Sequence, residues 1–189
     1  MSVLEIAAFV LGVINVALVV RRSIWNYPFA LAMVALYARI FYDAKLYSDA
    51  LLQIFFFAVN LYGWWAWSRV AASKGDIVIE RLGVRSRLAW AAGTAIAIVI
   101  WASLVQRYTD AALPWWDATA AIVSVAAQLM QSRRLIESWM LWIGVDILSI
   151  GLYAVKGLWL TMLLYLVFLV LAVWGLIDWR RVQRHQDAA

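Results

Sequence analysis

The sequence predicts an all-α integral membrane protein of seven transmembrane helices, built as two parallel three-helix repeats around one inverting helix. Three observations carry this expectation. Of 189 residues, 67% are hydrophobic and only 14% charged, and the mean hydropathy is +0.84; an ordinary soluble domain is about half apolar and about a quarter charged. Basic residues alternate from loop to loop in the way that orients membrane helices. The chain also repeats itself at an offset of 112 residues.

Stretches of about 17 to 20 mostly apolar residues, enough to cross about 30 Å of hydrocarbon, run over 3–20, 26–42, 50–68, 88–105, 115–132, 139–155 and 158–177. The first is not expected to be a signal peptide: "MSVLEIAAFV" has no positive leader, carries Glu5, and is followed by Arg21 and Arg22 in place of a small-residue cleavage site. The second holds Arg39 near its outer end, where it either snorkels to the interface or pairs with Asp43 at i+4. The third contains Gln53 and Asn60 and runs into the longest loop, "SRVAASKGDIVIERLGVRSR" (68–87), which reads as a polar linker. The fourth has no repeat partner and is the expected inverting helix. Pro28 and Pro114 sit at helix starts, so no span is broken by proline. The sixth carries Asp146, and the seventh ends in a basic tail with His185.

Charge tests the count. Arg21, Arg22, Arg69, Lys74, Arg81, Arg85, Arg87, Arg133, Arg134, Arg180, Arg181 and Arg184 follow spans one, three, five and seven. The other loops hold one basic residue each, Lys45, Arg107 and Lys156. Strict alternation of this kind fits seven spans, with the C-terminus cytoplasmic and the N-terminus outside. At the repeat offset Arg21 and Arg22 fall on Arg133 and Arg134, Tyr47 on Trp159, Gly63 on Gly175, Trp67 on Trp179, and Arg69 on Arg181. The expected division is a first repeat over 1–68, a cytoplasmic loop and inverting helix over 69–112, and a second repeat with the tail over 113–189. Parallel repeats of this kind are a known plan for small transporters.

The inventory excludes several chemistries. There is no cysteine, hence no disulfide, thiolate metal site or thiol nucleophile, and the single histidine lies in the tail. No nucleotide-binding loop is present. The net charge of +5 and pI near 9.7 read as membrane topology, with no nucleic-acid partner.

Polar residues inside the spans are informative because each costs free energy in hydrocarbon unless it is paired or faces water. In span three, Gln53, Phe57, Asn60 and Trp64 are spaced four, three and four and share a helical face; in span six, Trp139, Trp142, Asp146 and Ser149 form a second such stripe. Span five adds Asp117, Ser124, Gln128 and Gln131, while Asn15 and Tyr37 are weaker candidates. Amides and hydroxyls in such places also simply bond helices together, for about 0.6 to 2 kcal/mol each. Tryptophans at span ends (Trp25, Trp90, Trp115, Trp116, Trp174 and Trp179) read as interfacial anchors. Asp146 stands apart, since an ionised carboxylate at mid-depth costs at least about 2.5 to 3.5 kcal/mol. An indole pair, a central carboxylate and amides together suit a flat, polar ring that can carry positive charge, because indole faces stack on such a ring and attract a cation.

"LLQIFFFAVNLYGWWAWSR" (51–69), "LPWWDATAAIVSVAAQLMQSRR" (113–134) and "ESWMLWIGVD" (137–146) closely resemble segments of the PnuC family, the bacterial nicotinamide riboside transporters, and the resemblance covers nearly all seven spans. It implies a SWEET-like three-plus-one-plus-three fold, assembled as a homotrimer in the bacterial inner membrane. It also implies facilitated diffusion of an unphosphorylated vitamin, with trapping by a cytoplasmic kinase and no cofactor. The motif carries over to Gln53, Asn60, Trp139 and Trp142 as substrate contacts; Phe57, Trp64, Gln128, Asp146 and Ser149 complete the expected set from the stripes. Members that take nicotinamide riboside often have Asn four residues after the second motif tryptophan, where this chain has Asp146. Nicotinamide riboside and thiamine, the substrate of a sister branch, are both aromatic cations, so a carboxylate is compatible with either. Two further readings are a vitamin-binding membrane subunit that needs an energising partner, and an intramembrane enzyme, against which stands the lack of His or Cys in any span.

Overall fold

The computed structural model describes residues 3–43, 47–109, 113–155, 157 and 159–188; Lys45, Lys156 and the Tyr47 side chain, used in the readings above, lie outside them. Seven helices follow in order: α1 (Val3–Val20), α2 (Asn26–Asp43), α3 (Tyr47–Lys74), α4 (Val84–Tyr108), α5 (Pro114–Ser132), α6 (Glu137–Val155) and α7 (Trp159–Asp187). Each contains an expected span to within a residue, but α3, α4 and α7 continue past theirs. Hydropathy ends where the charged residues begin, whereas Ala, Arg, Lys and Gln remain good helix formers in water. Five helices, α1, α3, α4, α6 and α7, contain stretches long and apolar enough to cross a membrane. α2 and α5 match them in length, at 18 and 19 residues, but are more polar, carrying Arg39 and Asp43 in one and Asp117, Gln128 and Gln131 in the other. Arg39 pairs with Asp43 at 2.8 Å, which settles the choice left open by sequence.

Among the described residues the helices close into a ring. α1 packs on α2, α2 on α3, α3 on α5, α5 on α6, α6 on α7, and α7 back on α1, while α4 stands outside against α5. Positions 112 apart share geometry as well as identity. A Cβ on Gly63 would lie 2.7 Å from the Tyr27 hydroxyl, and one on Gly175 would lie 2.6 Å from the Trp139 ring. Tyr27 meets Trp67 edge to face at 5.5 Å, and Trp139 meets Trp179 in the same way at 5.5 Å. The Trp67 indole N–H donates to the Gln131 carbonyl at 3.3 Å, and the Trp179 N–H to the Val19 carbonyl at 3.2 Å. Arg22 and Arg134 both take the left-handed conformation, with φ of 55° and 61°. Each has a guanidinium anchor, Arg22 to Asp178 at 2.6 Å and Arg134 to Glu80, which offsets a backbone strain of about 1 to 2 kcal/mol.

Trp179 is therefore not an interfacial anchor: it is fully buried, as is Trp67, and the two rings touch at 5.9 Å. Trp116 also departs from that expectation, donating its N–H to the Leu148 carbonyl at 2.9 Å and lying over Gly151. The crossed indoles close the end of the ring that carries the arginine-rich loops. There the long loop, shortened to 75–83 by the helix extensions, is no free linker. Glu80 forms a parallel bridge with Leu135, its N–H donating to the Arg134 carbonyl and its carbonyl accepting from Ile136, both at 3.0 Å. Ile77 and Ile79 are buried in the aromatic cluster, and Gln186 of α7 bonds the backbone of both. Ile77 and Ile79 are buried while Val78 between them is half-buried and Asp76 and Glu80 are exposed, the period-two burial of an extended segment with one inward face.

The two glycines give a direct test of this packing. Gly63→Ala and Gly175→Ala should each destabilise by about 1 to 3 kcal/mol through overpacking, whereas Gly93→Ala on α4, where a Cβ meets nothing within 4 Å, should be neutral or slightly stabilising. Thermal unfolding in detergent would separate them, and a Gly175→Ala melting point at or above that of Gly93→Ala would contradict the close approach.

Candidate functional site

The ring encloses a cavity of about 590 Å³, lined by all six ring helices and not by α4. Its floor is the aromatic closure, reached at Val19, Tyr27 and Trp67; its other end is framed by Glu5, Phe41, Tyr153 and Thr161. Asp146 lies midway along α6, about 14 Å from either helix end at 1.5 Å per residue, and is only 4% exposed. Among the described residues it joins no ion pair; its electrostatic neighbour is Tyr165 of α7. Trp142, half-buried, lies one turn before it on the cavity wall, and Trp139 one turn further on, packed between the cavity and Gly175.

Amides furnish the facing wall. The Asn60 amide donates to the Phe56 carbonyl of its own helix at 2.9 Å, and its oxygen accepts from Gln128 of α5 at 3.0 Å. That link ties α3 to α5 and leaves each amide a second N–H for other partners. Lower in the cavity, the Gln131 side-chain oxygen and nitrogen, the Trp139 indole nitrogen and the Asn15 side-chain oxygen are buried without a partner among the described residues. A buried polar atom left unpaired costs about 1 to 3 kcal/mol, so these atoms call for a hydrogen-bonding partner, water or solute, from the cavity. Among the described residues no Lys, Arg or His lines the walls, which hold two acids, Glu5 and Asp146. Among the described residues no group of three potential metal ligands occurs.

Of the expected set, Gln53, Asn60, Gln128, Trp139, Trp142 and Asp146 line this one cavity. Ser149 is buried but not on the wall, and its hydroxyl engages Tyr165. Phe57 and Trp64 are not brought to the cavity: they are 38% and 36% exposed on the outer surface of the ring. The inward face of α3 is Gln53, Phe56, Asn60 and Trp67, rotated by about 40° from the expected stripe at 100° per residue. An aromatic ring is as comfortable against lipid as against a cavity, so the two polar residues fixed the face only loosely. Ser124, Gln131, Asn15 and Tyr37 also reach the cavity, whereas Asp117 is not among its lining residues. Sequence reasoning missed Glu5, Tyr153, Tyr165 and Asn26. The signal for Glu5 was present, a lone acid in the first turn of an otherwise apolar helix; for the tyrosines there was none.

The sequence profile described as nicotinamide mononucleotide transporter matches residues 2–181. The nicotinamide riboside transporter PnuC of Neisseria mucosa is 31% identical over 97% of this chain and 74% of its own length. The chain belongs to the PnuC family. PnuC of Escherichia coli, also named a nicotinamide riboside transporter, is 28% identical over the full chain and 89% of its own length. The riboflavin/roseoflavin transporter RibM of Streptomyces davaonensis is 31% identical over 90% of the chain and 81% of its own. A crystal structure of the vitamin B3 transporter PnuC superposes with a TM-score of 0.79 at 29% identity, covering 96% of this chain and 82% of that one. As a PnuC-family protein the chain is a bacterial multi-pass membrane transporter and not an enzyme.

The Asn60–Gln128 link should behave as one unit. Asn60→Ala and Gln128→Ala should each lower the melting point, and the double variant should recover a coupling of about 0.5 to 2 kcal/mol. Strict additivity in that double-mutant cycle would place the two amides out of contact.

Proposed function

We propose that this protein carries nicotinamide riboside across the bacterial inner membrane by facilitated diffusion, with the cavity as its substrate site. One observation carries the reading: the cavity holds two carboxylates, three indoles and several amides, and among the described residues not one basic side chain. A pyridinium ring can stack on Trp142 and Trp139 while Asp146 offsets its charge, and desolvated cation–π attraction is worth about 2 kcal/mol. Gln53, Asn60, Gln128 and Gln131 are placed to bond the carboxamide and ribose hydroxyls. A mononucleotide brings a phosphate into the field of the two acids with no cation to receive it. The riboside is therefore favoured over the phosphorylated form. Riboflavin is the alternative supported by the RibM relative, and thiamine the alternative supported by charge. Riboflavin is neutral and gains no charge attraction from Asp146.

The halves 1–68 and 113–189 act as parallel SWEET-like repeats about the inverting segment 69–112. They rock about the crossed indoles, with the N-terminus outside and the arginine-rich end in the cytoplasm. The correspondence of Trp67 with Trp179 and of Gly63 with Gly175 supports this arrangement. Three copies assemble as a homotrimer, and a cytoplasmic kinase traps the vitamin by phosphorylation. An uncoupled carrier is the simplest mechanism, because Asp146 is the only acid at mid-depth and no span is broken by proline.

Liposomes containing only this protein, at clamped zero potential because a charge is worth about 2.3 kcal/mol per 100 mV, test the proposal. Labelled nicotinamide riboside should equilibrate without concentrating, and an internal kinase with ATP should drive accumulation. The mononucleotide should enter at least about tenfold more slowly, a difference of about 1.4 kcal/mol. Asp146→Asn should reduce the preference for the cationic riboside over its neutral dihydro form. Accumulation driven by a proton or sodium gradient without kinase would defeat uniport, equal entry of riboside and mononucleotide would remove the electrostatic basis, and faster riboflavin or thiamine entry would transfer the substrate assignment.

A further inference from the structure

The cavity has a second acid that the site around Asp146 does not use. Glu5 lies in the first turn of α1, half-buried on the cavity wall. Placement near a helix N-terminus stabilises a carboxylate and would by itself account for an acid here. Its surroundings go further. The Glu5 carboxylate acts on the Tyr37 phenol of α2, and Tyr37 is in turn coupled to Tyr153 of α6, on the other half of the ring. Tyr37 stacks on Phe41 with centroids at 5.8 Å and planes 22° apart; Tyr153 stacks on Tyr165 at 5.3 Å and 24°. Phe41 and Tyr153 are 112 residues apart, so one ring of each stacked pair occupies a corresponding position, although their stacking partners, Tyr37 and Tyr165, do not. Tyr165 then meets Asp146, the 4%-exposed carboxylate that has no ion pair among the described residues. The acids thus share one cavity wall with two stacked ring pairs, one in α2 and one between α6 and α7.

A carboxylate combined with aromatic faces is the chemistry that holds organic cations, through ring quadrupoles and direct charge attraction together. A neutral or anionic solute gains no charge attraction from the acid. We propose that Glu5, Tyr37, Phe41 and Tyr153 form a second subsite, at the end of the cavity away from the crossed indoles, which binds a flat organic cation before it reaches Asp146. The subsite selects for charge at the mouth, and the inner site reads the carboxamide and ribose. This rests on the reading of the cavity as a route for nicotinamide riboside.

Initial rates of uptake in liposomes at zero potential, with nicotinamide riboside and its neutral dihydro form as paired substrates, test the subsite. Glu5→Gln should raise KM for the cation about fivefold, in the range set by exposed cation contacts, while changing kcat and the neutral riboside's KM by less than about twofold. Tyr153→Leu should reproduce the cation-selective loss, and Tyr153→Phe should recover most of it, because the ring and not the hydroxyl carries the attraction. A KM for the cation unaltered by Glu5→Gln and by Tyr153→Leu would overturn the subsite. Equal losses for both ribosides would overturn it too, assigning these residues to helix packing. If wild type carries neither riboside, the substrate assignment falls and the subsite's ligand with it; if wild type carries both and the variants match it, the subsite alone falls.

Discussion

Two indole N–H groups, each donated across the bundle to a backbone carbonyl of the opposite half, are the constraint on which the rest of the fold depends. Trp67 reaches the end of α5 and Trp179 the end of α1, so the two helix junctions that close the ring between 1–68 and 113–189 among the described residues, α3 with α5 and α7 with α1, are each pinned at the same end. An indole can lie so close to both backbones only because Gly63 and Gly175 leave room for the rings of Tyr27 and Trp139 that pack beside it. The buried donors share carbonyls at helix ends: Gln131 and Val19 each also accept a backbone N–H, from Arg134 and Arg22, and a carbonyl has lone pairs for both. Closed at that end, the ring has among the described residues no comparable set of crossed hydrogen bonds at the other, and the cavity extends towards Glu5 and Thr161. The bridge between Glu80 and Leu135 adds a brace beneath the closure, on the second half alone.

The electrostatics of the cavity follow from its helices. Arginines concentrate where the loops meet water, and those nearest the ring are engaged there, Arg22 by Asp178, Arg134 by Glu80 and Arg87 by Glu137. None reaches the interior. The cavity is left with carboxylates as its formal charges, so it favours cations without any change of fold. The profile that matches the chain is described by the mononucleotide, while the PnuC relatives are named for the riboside; a wall with two acids and no base favours the latter.

Much of this was legible in the sequence, for reasons that are physical. Helices in hydrocarbon must be continuous and apolar, so the seven helices could be read closely. The 112-residue offset was visible because the residues that make the crossed closure, Gly63, Trp67 and their partners, cannot be exchanged without loss of the close approach. Polar residues at mid-depth were equally legible, and Gln53, Asn60, Gln128 and Asp146 meet in one cavity. Aromatic residues were not, because lipid and cavity accept them alike: Phe57 and Trp64 face outward, Trp179 is core and not anchor, and Tyr153 and Tyr165 gave no sign. The docking of 75–83 was hidden by its charge, which masks two isoleucines buried beneath.

The central claim is that a solute-accessible cavity between the two halves is where the substrate sits. The chain contains no cysteine, so a single Ser124→Cys substitution, nearly isosteric and on the cavity wall of α5, provides one reporter thiol at mid-depth. Its rate of reaction with a small hydrophilic thiol reagent, measured with and without saturating nicotinamide riboside, tests the claim. The account predicts ready modification that the riboside suppresses; a thiol that stays unreactive, or one modified at the same rate in the presence of the riboside, would contradict it.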